Sequence, residues 1–302
     1  MKRRIRAAHN ALPAETLGIM GMVGAMFFFS LMDVLAKELG TLLPTAQVVW
    51  ARYTSQSVIV VAICMPRLRT LLASDSLGLQ LLRSVFLFGA TFQFFISLKL
   101  LALVEAVALL NTAPLMITIL AALILREHVG PRRWAAVILG LIGALIIIRP
   151  GLGVFQPASL IAIGAAFFLA AYQVATRMIG GADGIWTTML YTTSFGALIS
   201  TAVLPWVWQP PGTEAWLMMA VIGAVGMLGQ LCIIWALAQA PASTLAPLNY
   251  TSLVWASING LVIFAEIPDM ATLVGAAVIV GAGLYVWHRE RVRGRVMMQL
   301  PD

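Results

Sequence analysis

Apolar runs of membrane-helix length follow one another along almost the whole chain, separated by short polar turns. A transmembrane helix needs roughly 20 mostly apolar residues, and this pattern predicts ten such helices. The predicted spans are 16–37, 45–65, 79–99, 103–125, 132–149, 157–178, 185–205, 213–236, 242–264 and 268–288. Because most connections are only a few residues long, we expect no separate soluble domain. The pattern therefore predicts an all-α, polytopic membrane protein.

Three stretches of the first half return in the second half in the same order. GAMFFFSLMDVLAK at 24–37 resembles GAAFFLAAYQVATR at 164–177, and GATFQFFI at 89–96 resembles GMLGQLCI at 226–233. A third, longer match lies near the end of each half. Apolar helices can resemble one another by chance, but three matches at nearly one offset favour a duplication of five helices.

A duplicated unit of five helices enters the membrane upside down in its second copy, because five is an odd number. We predict two inverted five-helix repeats around a central cavity, at residues 1–150 and 151–290, with a cytoplasmic tail at 291–302. Inverted repeats are typical of secondary transporters, in which the binding site lies between the two halves near the middle of the membrane.

Composition and charge agree with a membrane protein and give its orientation. The chain is 61% hydrophobic and 10% charged, whereas ordinary soluble domains are roughly 45–50% apolar. Of the 19 Lys and Arg residues, 15 fall on the N-terminal side of the predicted membrane and four on the other side. Because cytoplasmic loops are rich in basic residues, we expect a bacterial inner-membrane protein with both termini in the cytoplasm. The net charge of +7 then reflects topology rather than nucleic-acid binding.

Residues suited to catalysis or metal binding are scarce and scattered. The three histidines, His9, His128 and His288, lie at predicted cytoplasmic ends without metal-ligand spacing. The sequence contains no Walker loop and no Ser, His and Asp at one membrane level. We therefore expect no catalytic residues, no metal, no cofactor, and no obligatory protein partner besides the lipid bilayer. An integral membrane enzyme stays as the alternative from another functional class.

Two predicted helices carry a polar, proline-disturbed segment at corresponding places of the two repeats. Pro114 and Pro247 each remove a backbone donor and are expected to kink their helices. Such segments point to a central binding site in transporters built from repeats. The candidate substrate-binding residues on these helices are Asn111, Thr112, Asn249, Tyr250, Ser252 and Trp255. The alternative is that these groups only hydrogen-bond neighbouring helices.

Two amides and one carboxylate add to the polar groups within the predicted spans. Gln93 and Gln230 are equivalent in the repeat, and each can bind substrate or bond a neighbouring helix. Asp33 and Lys37 are four residues apart and share a helix face. We expect Asp33 to form an ion pair with Lys37 or Arg52 at the outer ends of the first two helices. A role of Asp33 as a proton or substrate-amine site stays open.

Several stretches resemble a known family. They are FFFSLMDVLAK in the first helix, VVWARY in the second, NTAPLMITILAALILREHVGPRRWAAVILGLIGALIIIRPG at 111–151 and APLNYTSLVWASINGLVIFAEIP at 246–268. In these motifs and over nearly its whole length, the chain is similar to the EamA-type, ten-helix branch of the drug/metabolite transporter superfamily, which includes bacterial aromatic amino acid exporters. The resemblance implies two five-helix halves around a cavity walled by helices three, four, eight and nine.

The resemblance and the inverted repeat together predict a secondary transporter that exports small metabolites by alternating access. The expected substrate is an amino acid with an apolar or aromatic side chain, held by uncharged polar groups. Other solutes, such as drugs or organic cations, nucleosides and sugars, stay open as alternatives.

Overall fold

In the computed structural model, the described residues are 14–71, 73–74, 76–126, 130–149, 156–179, 184–240 and 245–297. They form ten helices that follow the predicted spans, with the fourth broken into two segments. The helices are α1 Ala14–Leu42, α2 Thr45–Cys64, α3 Leu77–Leu100, α4a Leu103–Leu110, α4b Ala113–Ile124, α5 Pro131–Ile148, α6 Pro157–Ile179, α7 Ile185–Val207, α8 Thr213–Gln239, α9 Thr251–Phe264 and α10 Met270–Met297. A short turn, Met65–Arg67 and Leu68–Leu71, follows α2.

Most of these helices are long and apolar enough to cross a membrane. Among the described residues, seven stretches meet that description: Thr16–Leu42, Thr45–Leu71, Leu77–Leu100, Leu103–Ile124, Pro157–Thr176, Ile185–Val207 and Thr213–Gln239. Shorter apolar helices cover Trp134–Ile148 and Met270–Tyr285. The prediction of an all-α polytopic membrane protein is confirmed.

The fourth helix is interrupted between α4a and α4b, where the polar segment stands in the sequence. Asn111 and Thr112 form the turn between the two segments. Pro114 lies in the first turn of α4b, where a backbone N–H would have no hydrogen-bond partner within the helix. The Leu115 N–H donates to the Thr112 carbonyl oxygen at 3.0 Å. The proline therefore stands at the start of a new helical segment instead of inside a continuous, kinked helix.

The ninth helix has a corresponding interruption on its N-terminal side. Ala246–Tyr250 is a 3-10 turn with Pro247 at its beginning, and α9 starts only at Thr251. The Thr251 hydroxyl donates to the Leu248 carbonyl oxygen at 2.6 Å. Pro247 thus lies in a turn that precedes α9. Polar backbone of this kind is tolerated in a membrane where protein or water covers it.

Helix pairing follows a two-fold pattern. The most extensive helix contacts join α1 with α8, α3 with α6, α5 with α10, and α2 with α7, and α9 packs on α4a. In the repeat, each helix of the first half corresponds to the helix five places later. Under this correspondence the α1–α8 pair becomes the α6–α3 pair, and each of the other pairs consists of two corresponding helices. The packing is therefore that of two inverted five-helix repeats.

Close contact between α5 and α10 depends on two glycines. A Cβ atom on Gly143 would lie 2.8 Å from the Gly275 carbonyl oxygen, and one on Gly275 would lie 2.6 Å from the Gly143 carbonyl oxygen. The two backbones therefore touch, as is common where small residues let membrane helices approach each other.

The apolar core is unevenly distributed between the two ends of the bundle. We call the end at which α1 ends and α2 begins the distal face, and the end at which α1 begins the proximal face. One extended buried cluster fills the distal half; it includes Leu39, Leu43, Val49, Leu98, Leu103, Val107, Ile148, Ala158, Met219 and Ala256. Towards the proximal face, the described buried residues form four smaller, separate clusters. The bundle is thus closed by continuous packing at the distal face and less tightly joined at the proximal face.

Candidate functional site

The interruptions of the fourth and ninth helices meet inside the bundle. Asn111 Nδ2 donates to the Val107 carbonyl oxygen at 2.8 Å and to Ser252 Oγ at 3.3 Å. Thr112 is fully buried, and its hydroxyl donates to the Leu109 carbonyl oxygen at 2.7 Å. The 8 residues of α4a span about 12 Å, which places Asn111 near the middle of a bilayer core of roughly 30 Å. The structure therefore brings Asn111 and Ser252 together at mid-membrane depth.

Aromatic side chains lie near this polar contact. The half-buried Trp255 ring meets the Phe27 ring edge-on at 5.0 Å between centroids. The Tyr250 hydroxyl lies against Gly283 of α10. Asn249 lies on the exposed side of the 3-10 turn. Of the aromatic candidates, Trp255 is thus one turn from Ser252 and in contact with α1, whereas the Tyr250 hydroxyl points towards α10.

The two glutamines occupy different helix contacts. Gln93 is half-buried on α3, and its side-chain amide lies directly against Gly164 of α6. Gln230 is half-buried on α8, next to Gly229, which packs on Phe29 of α1. The hydrogen bonds within the described residues join Asn111 with Ser252 but join neither glutamine to that pair. Gln93 therefore lines the α3–α6 contact, and Gln230 follows the glycine at which α8 packs on α1.

Lys37 has a different partner from the one expected. Its ammonium nitrogen is 2.7 Å from Glu266 Oε1 and donates to the Leu101 carbonyl oxygen at 2.5 Å. The other Glu266 oxygen accepts the Leu103 backbone N–H at 2.7 Å. The expectation that Asp33 pairs with Lys37 is therefore wrong, because the long Lys37 side chain extends to the distal face while Asp33 lies one turn deeper. We call Lys37, Glu266, Leu101 and Leu103 the distal latch.

Backbone geometry presents Glu266 to the latch. Ala265 follows α9 in the left-handed region, with φ 52° and ψ 28°. The Glu266 N–H then returns to the Gly260 carbonyl oxygen at 2.9 Å, which caps the helix. The contact of Glu266 with Lys37 depends on how α1 and α9 pack, so the local sequence gives no signal for it.

Arg52 is held by groups other than a carboxylate. Its Nη1 donates to Thr91 Oγ1 at 2.6 Å, and its guanidinium carbon is 5.1 Å from the Tyr53 ring centroid and 5.6 Å from that of Phe95. Asp33 is only 9% exposed and makes neither a hydrogen bond nor an ion pair within the described part of the chain. The charge of Arg52 still acts on Asp33 through space, but the two do not form the expected ion pair.

Arg83 and Asn259 are polar groups of the interior that the sequence analysis left outside the site. Arg83 is 3% exposed; it donates to the Tyr172 hydroxyl at 2.8 Å and lies 4.8 Å above that ring. Asn259 Nδ2 donates to Ser30 Oγ at 2.8 Å and so joins α9 to α1. The position of Arg83 several residues inside the apolar span Leu77–Leu100 is the sequence signal of its burial.

Polar contacts also tie the distal face together. The Gln47 side chain exchanges two hydrogen bonds with the Gln209 backbone, at 2.8 and 3.0 Å. Arg149 donates to and pairs with Asp269, and this contact, together with the Thr272 N–H, lowers the pKa of Asp269 below its ordinary value of 3.8. Across residues the structure describes, no group of three His, Cys, Asp or Glu could hold a metal ion.

Comparison with known families gives two matches within this one chain. The model of the EamA-like transporter family matches residues 16–149 and again residues 156–287. Each match contains five of the observed helices. The division of the chain at residue 150 stays a prediction, but the chain does consist of two copies of one family unit.

Several characterised proteins are similar to this chain over most of their length. A riboflavin transporter of Vibrio cholerae is 31% identical over 293 residues, covering 92% of this chain and 95% of that protein. An S-adenosylmethionine uptake transporter of Rickettsia felis is 25% identical, covering 94% of this chain and 96% of that protein. The pseudopaline exporter CntI of Pseudomonas aeruginosa is 25% identical, covering 88% and 94%.

A solved crystal structure also superposes on this fold. The TM-score is 0.59 at 22% sequence identity, and the superposition covers 89% of this chain and 96% of that chain. At this identity the similarity concerns the fold alone.

Proposed function

The chain belongs to the EamA-like transporter family, and on that premise we propose that it is a secondary transporter that exports small organic solutes across the bacterial inner membrane. The observation that carries this proposal is the meeting of two interrupted helices at Asn111 and Ser252, near the middle of the membrane. Interrupted helices at corresponding places of inverted repeats form the central site in transporters of this kind.

Alternating access is the proposed mechanism. The distal half is closed by a continuous apolar core and by the distal latch, while the proximal half is divided into separate clusters. A structure with two inverted repeats has a second state of similar energy in which the two ends exchange these roles. Solute would then reach the Asn111–Ser252 region from the proximal face in this state and from the distal face in the other.

The proposed orientation puts the proximal face in the cytoplasm. Arg67, Arg69 and Arg126 follow the proximal ends of their helices, and basic residues also dominate both terminal segments of the sequence. Lys37 and Arg149 are basic residues at the distal face, and both are engaged by carboxylates. Cytoplasmic enrichment of Lys and Arg supports this orientation.

An amino acid with an aromatic or apolar side chain is the solute class that we propose. Asn111 and Ser252 supply uncharged polar groups, and Trp255 and Phe27 supply an aromatic surface beside them. The N-terminal end of α4b, which begins at Ala113, presents the positive end of a helix dipole to a carboxylate group. These features suit a zwitterion with an apolar side chain.

Riboflavin is a second candidate, favoured by the 31% identity to a riboflavin transporter over nearly the whole of both chains. An aromatic surface at Trp255 and Phe27 is compatible with a planar ring system as well. The similar proteins include both an uptake transporter and an exporter by name, so they support transport without deciding its direction.

Flux measurements with purified protein in proteoliposomes test both solutes. We expect saturable exchange of labelled phenylalanine, competed by methionine and leucine, and a large loss of that exchange in Asn111→Ala and Ser252→Ala. Thr201→Ala is the matched control, because it removes a hydroxyl that accepts from Trp50 at 3.0 Å, away from the proposed site. Flux of riboflavin without flux of any amino acid would replace the first candidate by the second. Flux of neither would contradict the proposed solute class.

A further inference from the structure

We propose that Asp33 is the proton-binding site that couples solute transport to the pH gradient. This proposal rests on the proposed transport function and names its driving ion. It starts from the finding that Asp33 does not belong to the distal latch. Asp33 is on α1, 9% exposed, and the part of the chain that the structure describes offers its carboxyl group no hydrogen bond and no ion pair.

The polar side chains closest along the same face of α1 are already engaged. Ser30, one turn towards the proximal face, accepts a hydrogen bond from Asn259 at 2.8 Å. Lys37, one turn towards the distal face, is bound by Glu266 and by the Leu101 carbonyl oxygen. Asp33 is thus flanked on its own helix by residues whose partners are on other helices, and neither flanking group neutralises it.

The ionisable side chains on the elements packed against α1 leave Arg52 as the group that matters. Besides Glu38 on α1 itself, the described ones are Arg52, Tyr53 and Cys64 on α2, Arg83 and Lys99 on α3, Glu105 on α4a, Glu214 and Cys232 on α8, Tyr250 before α9 and Glu266 after it. Of these, Arg52 is the cation whose charge acts on Asp33. Arg52 donates a hydrogen bond to Thr91, and its guanidinium group also lies beside two aromatic rings, those of Tyr53 and Phe95.

A carboxylate in this position calls for a neutralising partner. An ionised side chain without a partner inside a membrane helix is costly. A bound proton removes that cost without needing space, which fits a side chain that is only 9% exposed. A fixed organic cation would need more room than a side chain this deeply buried leaves. The occupant that fits the site is therefore a proton.

The proton step is a simple acid–base equilibrium. The O–H bond of the Asp33 carboxyl group forms with a proton that enters from one face, and it breaks when the proton leaves to the other face after the two repeats have changed state. No other bond changes and no electron is transferred. Since the proposed direction is export and the proton gradient across a bacterial inner membrane points inward, one proton enters for each solute that leaves.

The test compares Asp33→Asn with wild type in proteoliposomes, with labelled phenylalanine and labelled riboflavin as the probe solutes. An imposed pH gradient is expected to drive either solute against its concentration gradient in wild type. Asp33→Asn is expected to remove the effect of the pH gradient, whatever its effect on exchange at equal pH. Asp33→Glu, which keeps a carboxyl group, should retain the effect, and Glu38→Gln on the next turn is the matched control.

A second measurement does not depend on transport. Infrared spectra of purified wild-type protein at neutral pH should contain the band of a protonated carboxyl group that is missing from Asp33→Asn and present in Glu38→Gln. Asp33→Ser serves if Asp33→Asn does not fold, since Ser30 shows that a hydroxyl is accommodated on this face. An unchanged response to the pH gradient in Asp33→Asn, or a band that persists in it, overturns the proposal. If wild type moves neither solute, the proposed function fails, and the infrared band alone decides whether Asp33 binds a proton.

Discussion

At the scale of single residues, side-chain length and depth decide which ionisable groups meet. Lys37 is 10% exposed and has a long side chain, so it extends to the distal face and meets Glu266 there. Asp33 is short and remains one turn deeper, where it makes no hydrogen bond or ion pair within the described part of the chain. Two residues that share a helix face therefore have different environments, and only the deeper one is left without a partner.

Trp255 gives a prediction about the solute. Trp255→Ala should raise the KM for phenylalanine by about fivefold, because loss of one aromatic contact in a site costs on the order of 1 kcal/mol. The measurement is the concentration dependence of exchange in proteoliposomes. Trp206→Ala is the control, since Trp206 is 82% exposed at the distal end of α7. Equal KM values for wild type and Trp255→Ala would exclude Trp255 from the solute surface.

Asp269 gives a prediction about pH. Because Arg149 holds the pKa of Asp269 below 3.8, the pair contributes stability that is complete above this ordinary value and is lost as pH falls through the lower, folded-state value. Thermal unfolding in detergent is followed from neutral pH down through 3.8. Asp269→Asn should lose less stability than wild type as the pH falls. Asparagine keeps the cap on the Thr272 N–H. An unchanged pH profile would mean that the pair adds nothing to stability.

At the scale of helices, close backbone contact makes single methyl groups costly. Gly143→Ala and Gly275→Ala should each destabilise the α5–α10 pair by roughly 1–3 kcal/mol, because each new Cβ meets a backbone oxygen that cannot move aside easily. Gly281→Ala on the same helix α10 meets nothing within 4 Å and should be neutral or slightly stabilising. Thermal unfolding of the three variants in one detergent separates them. If Gly281→Ala lost as much thermal stability as Gly143→Ala and Gly275→Ala, the cause would be the flexibility of the glycine backbone instead of close helix packing.

At the scale of the whole molecule, the distal latch joins the two repeats. Lys37 belongs to the first repeat and Glu266 to the second, and both also bind the backbone of the turn between α3 and α4a. The latch lies over the extended core of the distal half. It therefore stabilises the state in which the distal face is closed, and breaking it should favour the opposite state.

Cysteine labelling from the distal side tests this role of the latch. Ala106 is fully buried in α4a, and Ala106→Cys, with Cys64 and Cys232 replaced by alanine, should be labelled slowly by a membrane-impermeant maleimide. Adding Glu266→Gln should increase the labelling rate, because Lys37 then loses its charged partner. Glu38→Gln is the control. Equally fast labelling in that variant would mean that removing any distal charge loosens the helix packing, and that the latch has no special role.

The sequence by itself determined the ten helices, their duplication and the interrupted polar segments, because each of these depends on local chemistry. Apolar length defines a membrane helix, an odd number of spans inverts the repeat, and a proline beside Asn111 disturbs the chain wherever that chain is packed. Tertiary structure alone decided the partners. Lys37 meets a carboxylate 229 residues away instead of Asp33, and Gly143 of α5 touches Gly275 of α10. Such contacts depend on the angle and depth at which helices cross, and these follow from packing the whole bundle at once.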